Sequence, residues 1–372
     1  MSDELSGEAR ERIYATRIRP AFLRGLSPAP TPTVVFVGGI PGSGKSNVMR
    51  RENARLATPG AIVSGDDMRE FHPGWRAAAP RDPHATDRFD AAASEWVERL
   101  ARDALHARLN VAFETTFRRV ETVAPLLEAF RAAGYQLEAT IVAIGMDAAR
   151  RTLTARFLEL QARGLPPRFV RASTLVDAYR GLPGSVETLE RKGLVDVLRV
   201  VSRPGETLYE NRRDASGQWE KPASALIALE AERSLPRERE LAQNAFAWHI
   251  LEARARAHPA TPREVIEQAA MWRRDAIERA RADPEAAKIY PRLLAAESFR
   301  TYPRARFLKE FPQYKGAMDR LDATRAYVLQ TLPHEPDQQA FIARTRGRIA
   351  DYIEKGGQYG PRRKRTPEPP TR

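Results

Sequence analysis

The spacing of apolar residues changes character along the chain. In residues 1 to about 30, Ile13, Ile18, Phe22 and Leu23 fall near one face of a helix, which stops at the proline-rich SPAPTPT. From Thr33 to about residue 211, five short β-branched runs (TVVFVGG, AIVSGD, NVAFET, LEATIVAIG and DVLRVVS) alternate with helical patterns. That alternation predicts a parallel sheet with helical crossovers. Between the second and third runs, Phe89, Ala93, Trp96, Val97, Leu100, Ala104 and Leu105 recur at helical spacing. They predict a crossover helix with its stripe in the core.

After about residue 230 the strand signals cease. Thr261, Pro262 and Glu264 read as a capping box with proline at the first helical position, and Val265, Ile266, Ala269, Trp272, Ala276 and Ile277 as the buried face behind it. Further helices are punctuated at Pro284, Pro303, Pro312 and Pro333, and Phe341, Ile342, Thr345, Ile349, Tyr352 and Ile353 stripe the last one. Residues 356–372, GGQYGPRRKRTPEPPTR, lack periodicity and read as a disordered basic tail. The expected order is a helical lead-in (1–30), an α/β domain (31–225), a helical domain (230–355) and the tail.

The chain has 372 residues, 42% hydrophobic and 29% charged, which fits a globular protein of two to three domains. No apolar run approaches the roughly 18 residues of a membrane span, and the N-terminus lacks the pattern of a secretory signal, so a cytoplasmic protein is expected. The absence of cysteine excludes disulfides, thiolate metal sites and a Cys nucleophile. A net charge of +13 favours anionic partners without choosing among them. With 8% aromatics and no recognisable nucleic-acid-binding motif, nucleic acid is a minor expectation.

One loop narrows the choice. Gly39-Ile-Pro41-Gly42-Ser43-Gly44-Lys45-Ser46 fits G-x-x-x-x-G-K-[ST] between an apolar strand and a helix. Its glycines let successive backbone N–H groups aim at a phosphate, Lys45 reaches the terminal phosphates and Ser46 offers a hydroxyl to Mg²⁺. The next strands end in Gly65-Asp66-Asp67 and Glu114-Thr115-Thr116, so carboxylates and hydroxyls gather where a phosphate acceptor would lie. Either aspartate could take a proton from an acceptor hydroxyl; alternatively, one or both could hold metal-bound water or cap the following helix. After the fourth strand, DAARRTLTARFLELQARGLPPRFVRAS carries Arg150, Arg151, Arg156, Arg163, Arg168 and Arg171, where a mobile lid would bring guanidiniums to a γ-phosphate. The expected fold class is α/β: a P-loop kinase with a mostly parallel sheet flanked by helices, then an all-α C-terminal lobe.

Several motifs together resemble the zeta toxin family of bacterial toxin–antitoxin systems. They are GGIPGSGKS, Asp66-x-x-Arg69-x-x-His72-Pro73, FETTFR from Phe113 to Arg118, and Arg156 and Arg171 around the lid. The resemblance, over roughly residues 10 to 215, implies a kinase that uses ATP and Mg²⁺ to phosphorylate the 3-prime hydroxyl of UDP-N-acetylglucosamine. It implies Lys45 and Ser46 on phosphates and metal, Asp66 as base, Glu114 and Thr116 positioning the sugar, and Arg156 and Arg171 clamping phosphates. Arg69 would contact an acceptor phosphate or pair with Asp67, and His72 is read as structural. Related kinases act on dinucleotide or polynucleotide acceptors, and a nucleotide-sensing interaction protein is the alternative from another class. The family's usual partner is a small helical antitoxin; here residues 1–30 or the C-terminal helices could supply such a block within the chain.

Overall fold

Thr33–Gly38 (β1), Ala61–Val63 (β2), Val111–Glu114 (β3), Gln136–Val142 (β4), Val197–Val201 (β5) and Thr207–Arg212 (β6) form one sheet in the order β2-β3-β1-β4-β5-β6. The first five strands are parallel, and β6 pairs antiparallel with β5. The computed structural model describes residues 5–79, 82, 85–234 and 238–359. Part of the expected basic tail, residues 360–372 with its Arg362 to Arg365 cluster, lies outside them.

Every residue of β1 is buried because helices cover both faces of the sheet. Alternation divides the strand between two clusters: Val34 and Phe36 enter the larger core, while Val35 and Val37 meet Val48, Met49 and Val201 on the other face. Phe36 packs against Phe113 and Phe130 with ring centroids 5.3 and 6.2 Å away. The crossover helix Ala85–His106 turns most of its expected stripe into the larger core, with Trp96 and Leu100 buried, while Phe89 packs in a separate cluster with Trp75.

Two local expectations need correction. The strand β6 had no signal in the apolar runs, because TLYENR is an edge strand with most positions half-exposed or exposed. In the last helix, Glu335–Glu354, the buried face is narrower than the stripe suggested: Ile349, Ala350 and Ile353 are buried, whereas Phe341 and Tyr352 are 42% and 44% exposed.

The lead-in is helical from Gly7 to Leu23, with a π-helical stretch at Tyr14–Ile18 just before Pro20, a residue that lacks the N–H an α-helix would use. Tyr14 and Ile18 are fully buried; the Tyr14 hydroxyl donates to Asp103 at 2.8 Å and Trp96 Nε1 donates to the Arg10 carbonyl at 3.2 Å. The lead-in is thus fastened to the crossover helix.

The chain divides into two compact units, residues 1–235 with 250–272, and residues 236–249 with 273–372. The unit containing the sheet therefore extends beyond the boundary expected at 225–230. The second unit has its own core, in which Phe299, Phe307, Met318, Leu321, Ile349 and Ile353 pack together.

Candidate active site

β1 ends beneath the glycine-rich loop, and the helix Lys45–Arg55 starts directly after it. Two glycines are required by the backbone. Gly42 has φ +81°, and a Cβ there would lie 2.7 Å from the Ala149 carbonyl oxygen; Gly44, at φ +94°, leads into the helix. Gly39 and the fully buried Ser43 shape the underside of the loop, where Ser43 Oγ has no hydrogen-bond partner among the described residues. Lys45 Nζ donates to the carbonyls of Gly39 at 2.9 Å and Ile40 at 3.1 Å and lies 3.6 Å from a Glu114 carboxylate oxygen. Burial pushes the Lys45 ammonium below its usual range, and Glu114 opposes that shift.

A cavity of about 400 Å³ opens over this loop, lined by Pro41, Gly42, Gly44, Lys45, Ser46, Glu114, Thr116, Arg156, Arg168 and Arg203 among others. The ends of β2 and β3 are tied together there: the Ser64 hydroxyl donates to Glu114 Oε2 at 2.6 Å. Ser64 precedes the short helix Gly65–Arg69, which carries both aspartates.

The two aspartates diverge. One Asp66 carboxylate oxygen accepts from Arg69 Nη1 at 2.7 Å and from Arg168 Nη1. Burial would raise the Asp66 carboxyl, yet the Arg168 and Arg69 guanidiniums prevail and hold it down at about 2. Asp67 is exposed and lines neither this cavity nor the next. Partial desolvation, then the carboxylates of Asp66, Glu114 and Glu70, push it up to about 6. Arg69 bridges Asp66 and Asp90, the latter through Nε at 2.7 Å, so the carboxylates it pairs with here are not Asp67.

A second cavity, about 290 Å³, is lined by Arg69, Glu70, Trp75, Arg76, Leu160, Leu165 and Pro166. Three residues line both cavities: Asp66, Arg156 and Arg168. Thr152, Arg156 and Leu160 recur every four residues along the helix Met146–Ala162, which aims them the same way. The segment 163–171 then returns Arg168 to the same place, its Nε buried without a hydrogen-bond partner among the described residues.

Arg171 is not brought to this junction. It precedes the helix Ala172–Arg191 and pairs with Asp87 at 2.8 Å, nearly half exposed and lining neither cavity. Arg168, rather than Arg171, lines both cavities. A signal was available in Pro166-Pro167, whose fixed φ angles extend the chain immediately before Arg168. His72 is buried, its Nδ1 accepting from the Gly74 N–H at 3.2 Å and its ring 4.4 Å from that of Phe89, an arrangement that shapes the loop after Arg69. No described residue of the lead-in lines either cavity.

A phosphate-type loop after β1, with carboxylates at the ends of β3 beside it and of β2 beyond that, defines a P-loop kinase-like α/β protein. The chain belongs to the zeta toxin family: residues 23–214 match the family model described as Zeta toxin. The toxin PezT of Streptococcus pneumoniae serotype 4 is 21% identical over 236 residues, covering 57% of this chain and 89% of its own length. A solved structure from the PezAT chromosomal toxin–antitoxin system of Streptococcus pneumoniae superposes with a TM-score of 0.54 at 17% identity, covering 69% of this chain and 98% of that one. Among the described residues, no helix is long and apolar enough to cross a membrane, and no three His, Cys, Asp or Glu side chains group as a metal site.

Proposed function

We propose that this chain is a kinase that transfers the γ-phosphate of ATP to a hydroxyl of UDP-N-acetylglucosamine or a related nucleotide-linked acceptor. The observation that carries the reading is the sharing of Asp66, Arg156 and Arg168 by two adjoining cavities, one over the glycine loop and one beyond it. A phosphate donor in the first and an acceptor in the second would meet at those three side chains. The second cavity suits an anionic, ring-bearing acceptor, since Arg69 and Arg76 stand there beside Trp75 and Leu160.

In the proposed reaction the acceptor oxygen forms a bond to the γ-phosphorus while the bond to the bridging β–γ oxygen breaks, releasing ADP. The hydroxyl proton passes to an Asp66 oxygen. A carboxylate held at about 2 is a weak base at the outset, but phosphoryl transfer is largely dissociative, so the proton leaves late, when the forming O–P bond has made it acidic. Arg156 and Arg168 neutralise charge on the moving phosphoryl, and Lys45 neutralises charge on the phosphates behind it. The residues present fit a magnesium nucleotide: the cavity joins a backbone cradle to the Ser46 hydroxyl and the Glu114 carboxylate. Bound Mg²⁺ would supply charge neutralisation on the phosphates, and Ser46 is the side chain that would hold it. The family's association with toxin–antitoxin systems makes a separate antitoxin the proposed protein partner.

Incubation with ATP, Mg²⁺ and UDP-N-acetylglucosamine, beside a Lys45→Ala control, tests this reading by mass spectrometry. A phosphorylated sugar nucleotide that requires Lys45 supports it. ATP binding without any phosphorylated product, across nucleotide sugars and dinucleotides, would overturn it.

A further inference from the structure

Arg168 reaches the junction of the two cavities from an irregular segment, residues 163–171, which lies between two helices. A guanidinium on irregular backbone must lose much conformational freedom to act at one point, unless the segment is already held. Two hydrogen-bonded anchors hold it, and both come from residues that the family match over 23–214 does not reach. Before Arg168, the Gln161 amide is satisfied at both ends: its Nε2 donates to the Ala260 carbonyl at 2.8 Å, and its Oε1 accepts from the Thr261 hydroxyl at 2.9 Å. After Arg168, the Val170 carbonyl accepts from Gln268 Nε2 at 3.3 Å.

Apolar and aromatic packing reinforces this arrangement. Val170, Thr261, Val265 and Trp272 are all buried, and the Arg150 guanidinium lies 5.5 Å from the centre of the Trp272 ring. Phe157 and Phe169 meet edge to face at 6.4 Å, joining the helix that carries Arg156 to the residue after Arg168. All these residues belong to the unit that contains the sheet.

We infer that residues 260–268 are a positioning element for phosphoryl transfer: Gln161 and Gln268, by fastening the segment 163–171 on either side of Arg168, place its guanidinium at the junction of the cavities. Neither glutamine lines either of the two cavities described, so both act through Arg168. The inference rests on the kinase reading and adds that residues 260–268, beyond the family match, are part of the working enzyme.

The test is the full-length double variant Gln161→Ala/Gln268→Ala, compared with wild type in steady-state transfer and in hydrogen exchange of segment 163–171. Amide exchange in that segment should rise several-fold while the strands stay protected. The kcat should fall roughly 10-fold or more, with KM for ATP changed little, because a misplaced catalytic group costs turnover rather than ground-state binding. In an Arg168→Ala background the two glutamine substitutions should cost no further kcat, a coupling that a merely structural role would not produce. Gln161→Glu, which retains the acceptor for Thr261 but loses the donor to Ala260, should fall between wild type and Gln161→Ala. Unchanged exchange, an unchanged kcat, or losses that add fully to Arg168→Ala would each overturn the inference. A wild type that phosphorylates no acceptor overturns the kinase reading instead; the exchange measurement needs no acceptor and still decides whether the anchors hold the segment.

Discussion

Arg168 and Asp66 stand 102 residues apart in the chain and meet as an ion pair at the boundary between the two cavities. The pair links the end of β2 to the segment after the helix Met146–Ala162. Asp66 also accepts from Arg69, so a single carboxylate is held by two guanidiniums. The same contacts that orient Asp66 also lower its basicity, which suits a proton acceptor needed late in phosphoryl transfer.

Lys45→Ala should reduce phosphate transfer by at least about 100-fold, the loss typical of removing a charge that stabilises the transition state. Transfer and ATP binding are measured together, by coupled ADP release and calorimetry. A variant with near-wild-type turnover would exclude Lys45 from the phosphate site.

Asp66 should also leave an acid signature in stability. Its carboxyl is lowered from 3.8 to about 2, so its ionised form stabilises the fold by about 2 kcal/mol above the unfolded-state value. That contribution is complete above about pH 4 to 5 and is lost as pH falls through about 2. Asp66→Asn should therefore melt below wild type at pH 7, and the gap should close toward pH 2. Calorimetric melts across that range check the sign, and the same variant should lose transfer at every pH.

Asp67 should behave in the opposite way. Its carboxyl is raised to about 6, so the stability it contributes is present below about 3.8 and lost as pH rises through about 6. Asp67→Asn should equal or exceed wild type in melting temperature at pH 8 and match it at pH 4. If Asp66 is the base, Asp67→Asn should keep transfer within a few-fold; a loss as deep as that of Asp66→Asn would reverse the two assignments.

The lid arginines can be separated by substitution. Arg168→Ala should lower kcat by about 100-fold or more, whereas Arg171→Ala, which loses an exposed pair with Asp87, should alter kcat little and stability by less than about 1 kcal/mol. Steady-state rates of the two variants at saturating ATP decide between them.

Local sequence was enough to specify the glycine loop, because its chemistry depends on backbone freedom and on residues that follow one another: Gly42, Gly44, Lys45 and Ser46. The five parallel strands were legible for a related reason, since a strand buried on both faces is a continuous apolar run. The edge strand β6 carried no such mark. Neighbouring residues in a helical turn point about 100° apart, yet nothing in Asp66-Asp67 says which one faces inward; that depended on where Arg69 and Arg168 stand.

The choice of Arg168 over Arg171 was likewise beyond local pattern. It required the path of irregular backbone between two helices, and that path is set by Gln161 and Gln268 reaching residues far along the chain. The grouping of 250–272 with the sheet has the same origin. Periodicity records which face of an element is apolar, but the partner of that face is chosen by long-range packing, and only the assembled fold brings Asp66, Arg156 and Arg168 to one junction.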